Sequence, residues 1–147
     1  MALTLAVPRL TITAQAALRL LDAGEAAAHA MGKPMTLAVV DESGVLKAFR
    51  RMDGAPLLSV EIAMDKAYTA ASFGMPSHAW YDFIKDDDPL RLGVVKTNRL
   101  VIFGGGYPVK VDGTTVGGIG VSGGHYSDDM KVAEAALAAL EPEGKHD

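Results

Sequence analysis

Hydrophobic and polar positions follow two rhythms along this chain. From Thr13 to Met31, Leu18, Leu21 and a series of alanines recur at helical spacing, with Thr13 placed to cap the start and Gly32 the end. After Lys33-Pro34 the rhythm changes. Met35 to Val40 is a short apolar run of strand type, Asp41 to Gly44 is a turn cluster, and Val45 to Arg50 is a second strand, so an antiparallel hairpin is expected. Met52 to Leu57, with Asp53-Gly54 and Pro56, reads as a loop. Ser59 to Phe73 is helical again, capped by Ser59 and stopped by Gly74. Ser77 to Ile84 predicts a short helix and Lys85 to Leu92 a polar loop. Leu100 to Phe103 reads as a strand fragment. Val109 to Val111 and Thr115 to Val121 form a second hairpin around Asp112-Gly113. The last helix starts at a cap on Ser127 or Asp128 and runs through Leu140, with a frayed tail from Glu141 to Asp147. Strands arriving as hairpins predict an antiparallel sheet covered by helices, not a doubly wound parallel one.

Composition narrows the class. The 147 residues suit one domain, expected to span the whole chain. The apolar share of 49% is rich in Ala, Val and Leu, slightly more than a small monomer needs, which points to a homo-oligomer. Net charge is −4 and no run of Lys or Arg exists, so nucleic acid is not an expected partner. No stretch approaches the roughly 18 apolar residues of a membrane span, and the N-terminus lacks the pattern of a secretory signal. The absence of cysteine fits a reducing cytoplasm.

Candidate chemistry gathers in the second half. Gly104 to Gly106, Gly117 to Gly120 and Gly123-Gly124 permit close backbone approach, either as tight turns or as a ligand cradle. Neither a P-loop nor a dinucleotide fingerprint is present. Ser122 to Ser127 opens the last helix, where free N–H groups favour an anion, although Asp128 and Asp129 already stand there. Of the four histidines, His29 reads as a helix-face residue and His146 lies in the tail. His78, near Trp80 and Tyr81, and His125, beside Tyr126, are able to ligate haem iron or move protons near neutral pH. Arg50 and Arg51 are able to clamp carboxylates or simply pin the loop through Asp53. Lys66 either leaves the apolar side of its helix or points its amine into a pocket.

Taken together, Arg51-Met52-Asp53-Gly54-Ala55, Ser59 and Ala63 to Ala70, followed by Gly104 to Val109, Val116 to Gly124 and the acidic pair Asp128-Asp129, resemble the GlcG/HbpS family over roughly residues 11 to 141. The resemblance implies an α+β sandwich of profilin-like type, with a central antiparallel sheet of about five strands flanked by helices. It also implies homo-oligomers and, for some members, binding or breakdown of haem; a similar domain ends some PduO-type corrinoid adenosyltransferases. On this reading Arg51, Asp53, Gly105, Tyr107, Ser122, Gly123 and Gly124 bind the cofactor, and His125 or His78 meets the iron. A different reading is an isomerase, tautomerase or lyase for a small carboxylated metabolite, with Lys66 or His125 shuttling a proton. A third is an accessory protein whose glycine loops serve subunit contacts.

Overall fold

A computed structural model describes residues 1–141; His146 and nearly all of the expected tail lie outside them. The elements run α1 (Ala14–Ala30), β1 (Thr36–Asp41), β2 (Leu46–Arg51), α2 (Ser59–Phe73), α3 (Ala79–Ile84), α4 (Asp88–Gly93), β3 (Gly106–Val111), β4 (Thr114–Ser122) and α5 (Tyr126–Ala138). The four strands form one antiparallel sheet in the order β2-β1-β4-β3. Leu100 to Phe103, expected as a fifth strand, is not one. Leu100 to Phe103 is held by side chains instead: Thr69 Oγ1 donates to Arg99 O at 2.8 Å and accepts from Val101 N at 3.0 Å.

Residue parity along the two central strands divides the core. Leu37, Val39, Ile119 and Val121 face the layer formed by α1 and α5, together with Leu20, Leu21, Val132 and Ala136. Ala38 and Val40 face α2, against Ala63, Ala67 and Ala71. On that same face β4 presents Gly118 and Gly120, and the α2 backbone takes up the space a side chain would need. A Cβ on Gly118 would lie 2.5 Å from Ala67 O, and one on Gly120 would run into Ala63 O. The glycine-rich strand is therefore the seat of a close helix–sheet contact, and only residues without a side chain fit there.

Helix ends follow local chemistry. Thr13 accepts from Ala16 N, and Gly74 leaves α2 at φ +64° in the left-handed region. Ser59 does not cap α2; Leu58 occupies that position, and the Ser59 hydroxyl bonds Pro56 O and Thr36 Oγ1. The expected polar loop contains α4, whose start Asp87 caps by accepting from Leu90 N. The cap of α5 is His125, not Ser127 or Asp128: its Nδ1 accepts from Ser127 N at 3.2 Å.

Candidate functional site

The β3–β4 hairpin brings its two flanking loops together, as its length predicts. Val121 N donates to Gly105 O at 2.9 Å, and Gly106 pairs with Gly120 in the ladder. Ser77 clamps the first loop to the start of α3: its Oγ donates to Phe103 O and accepts from Gly106 N.

Beneath this junction lies Lys66, fully buried on α2. Its Nζ donates to Val121 O and to Asp129 Oδ2, both at 2.8 Å, and sits 5.2 Å from the centre of the Phe103 ring. Asp129, 2% exposed in the first turn of α5, accepts from Gly124 N through its other oxygen at 3.0 Å. Burial pulls the Lys66 amine below its ordinary range and pushes the Asp129 carboxyl above its own, and their mutual attraction works against both shifts. A Cβ on Gly105 would stand 2.7 Å from Nζ and 2.6 Å from Val121 O. Lys66, expected as a proton shuttle, is thus enclosed as the hub of a three-element joint.

An apolar cleft opens on the outer side of the same junction. It measures about 510 Å³ and is lined by His78, Tyr81, Asp82, Ile102, Phe103, Gly104, Tyr126 and Met130. His78 precedes α3, its ring meets Tyr107 edge-on at 5.7 Å, and its Nδ1 is buried without a hydrogen-bond partner. Tyr107 donates its hydroxyl to Glu134 at 2.8 Å; burial first, and then that carboxylate, push the phenol well above its usual range. His125 is exposed, stacked on Tyr126 with ring centres 4.1 Å apart and bonded through Nδ1 to Ser127.

The remaining expected site residues are not gathered at this cleft. Arg51 and Asp53 lie on and just beyond β2, at the opposite edge of the sheet from Tyr107 on β3. Asp53 lines a separate hollow with Glu25, His29, Lys33 and Met52. Arg50 is committed to α1, bonding Asp22 and Glu25 at 2.8 Å each. Ser122 pairs with Thr36 on the α2 face of the sheet. Among the described residues no group of three or more His, Asp or Glu side chains is arranged to hold a metal ion. Ile102 and Met130 carried no signal in the sequence, because neither stands in a motif.

Gly123 was expected to cradle a ligand, yet it packs inward. Its φ is +152°, and a Cβ would lie 2.8 Å from both Pro34 O and Met35 Cα. Gly123→Val is therefore expected to destabilise the fold by roughly 2–4 kcal/mol, read as a lowered unfolding midpoint. A variant that melts like the parent but loses ligand would restore the cradle.

The sequence family described as haem-degrading protein HbpS-like matches residues 12–138. The chain belongs to the HbpS-like family. An uncharacterised 15.0 kDa protein from the dhaT–dhaS intergenic region of Citrobacter freundii is 40% identical over 129 residues, covering 86% of this chain and 90% of the relative. The crystal structure of HbpS superposes with a TM-score of 0.86 at 30% identity, over 97% of this chain and 100% of that one. A crystal structure of a PduOC–haem complex superposes at 0.79, also at 30% identity, over 89% and 96%. HbpS-like architecture thus accounts for nearly all the described residues. No described helix is long and apolar enough to cross a membrane.

Proposed function

We propose that this HbpS-like chain is a cytoplasmic homo-oligomer that binds haem or a related tetrapyrrole in the cleft beside α3, with His78 as the iron ligand. The observation that carries the reading is the cleft itself. Its 510 Å³ join one imidazole to Tyr81, Phe103, Tyr126 and Met130, the mixture a large flat apolar ring requires. His78 fits the role better than His125, because His78 lines the cleft whereas His125 is engaged as the α5 cap. The haem complex of the related PduOC chain supports the same ligand class. Bound haem would supply a redox-active iron. The chain's own residues would cover the ring, and Tyr107 would hold the His78 imidazole in place. The homo-oligomeric part of the reading rests on the apolar share of the chain, 49% of its residues.

Haemin titration followed by the Soret band tests the reading. His78→Ala is expected to weaken binding at least tenfold and to shift the band; His125→Ala is expected to bind like the parent. Parent-like binding by both variants would remove the iron assignment. Loss with His125→Ala alone would move the ligand to the start of α5.

A further inference from the structure

Two helices wall the apolar cleft and the loop before β3 floors it. His78, Tyr81 and Asp82 belong to the α3 side, Tyr126 and Met130 to α5, and Ile102 to Gly104 to the floor. The two helices make no substantial contact with each other. Along α5, Tyr126, Met130 and Glu134 follow one another at four-residue spacing, so they share a face. That face is turned toward His78, because Glu134 takes the Tyr107 hydroxyl and the Tyr107 ring meets the imidazole. His78 and Met130 also converge on one floor residue. A Cβ on Gly104 would stand 2.3 Å from Met130 Sδ and 3.6 Å from His78 Cβ. The thioether thus occupies room that Gly104 leaves by having no side chain.

We propose that Met130 is the second axial ligand of the haem iron, on the face of the ring opposite His78. The proposal rests on the haem reading of the cleft and adds the group that completes the iron's coordination.

Three observations select the thioether. First, imidazole and thioether belong to different walls, so a flat ring entering between them has one on each side. Second, the other lining groups with a lone pair to give are unsuited. Tyr81 and Tyr126 ligate iron only as phenolates, and no Lys or Arg lines the cleft to favour that anion. Both rings are largely exposed, and Tyr126 is stacked on His125. Asp82 is exposed and paired with Lys85 at 3.5 Å. Third, Met130 is half-buried, and three rotatable side-chain bonds let its sulfur move onto a metal while the helix stays fixed.

The pair has a chemical consequence. Imidazole and thioether are both neutral, and together they favour ferrous iron and raise its reduction potential. The His78 Nδ1 is buried without the acceptor that makes a ligating imidazole more basic, which works in the same direction. With both axial positions filled, the iron offers no open position to dioxygen. On this account the cleft holds haem without degrading it.

Spectroscopy of the haemin-loaded full chain, alongside Met130→Leu, is the experiment. Leucine keeps the apolar volume and cannot ligate. The parent is expected to be low-spin, with the far-red charge-transfer band of a thioether–ferric bond and, when reduced, a strongly upfield Met130 ε-methyl proton resonance. Met130→Leu is expected to melt like the parent and keep a His78-dependent Soret shift. It is expected to lose the band and the resonance, turn high-spin and show a lower midpoint potential. Its ferrous form should take up carbon monoxide roughly tenfold faster or more, because the sixth position is open. A parent that binds haemin through His78 yet is high-spin and lacks the band would overturn the Met130 assignment alone. So would a low-spin parent whose spectrum Met130→Leu leaves unchanged. A parent with no Soret shift would overturn the haem reading and the thioether with it.

Discussion

Replacing Lys66 by methionine is expected to lower the unfolding midpoint by about 10 °C. The substitution keeps the length of the side chain and removes its charge. Asp129 would remain buried with only the Gly124 N–H against its carboxylate, and Val121 O would lose its side-chain donor. An uncompensated buried charge of this kind costs about 3–5 kcal/mol, and each kcal/mol moves the midpoint of a domain this size by roughly 2–4 °C. The complementary change is as informative. Lys66→Met combined with Asp129→Leu removes both charges and is expected to recover most of the loss, because a buried ion pair often gains little over a well-packed apolar pair. Differential scanning calorimetry of the two variants decides the matter. A single variant that melts within a degree or two of the parent would show that the joint tolerates a lone buried carboxylate, and Lys66 would then not be its hub.

Gly120→Val is expected to yield no folded protein. Gly120 sits on the α2 face of β4, where an added Cβ would overlap the carbonyl oxygen of Ala63 and stand 2.5 Å from Ala67 N. Both opposing groups are helix backbone, so no rotamer change relieves the clash. α2 would have to retreat from the sheet along its length, giving up the contact among Ala38, Val40, Ala63 and Ala67. Gly93→Ala is the matched control. Gly93 ends α4 with nothing near the position a Cβ would take, and its replacement is expected to change stability by no more than about 0.5 kcal/mol. Soluble yield and far-ultraviolet circular dichroism separate the two variants. A folded Gly120→Val chain would mean that α2 can ride higher on the sheet without losing its hold.

Periodicity and stop signals made most of the elements legible. α2 runs from Ser59 to Phe73 as its spacing predicts, because Gly74 offers the left-handed conformation that ends it. α4 left no such trace for a physical reason: it buries none of its residues, so no apolar face betrays it. Leu100 to Phe103 misled in the opposite direction. Its apolar run satisfies a strand pattern, but the Thr69 hydroxyl takes the place of a neighbouring strand. At the junction, the pairing of Gly105 O with Val121 N followed from hairpin length. The partner of Lys66 did not, since nothing local in a sequence says that an amine on one helix will meet Asp129 on another. Arg50 and Arg51 were equivalent as letters. Strand parity sends Arg50 toward Asp22 and Glu25 on α1 and leaves Arg51 exposed.

The joint at Lys66 also bears on the order in which the chain assembles. Its two hydrogen bonds close loops of 55 and 63 residues, so neither forms early by local search. Until β4 has joined the sheet and α5 has docked, the ammonium has no substitute for water and gains nothing by leaving it. Dehydration of Lys66 is accordingly a late event on the folding route, coupled to completion of the whole tertiary structure. The cleft borders that joint along Phe103 and Gly104, so it takes shape only when the last long-range contacts close. A partly folded chain, even one with its helices formed, has no such cleft to offer.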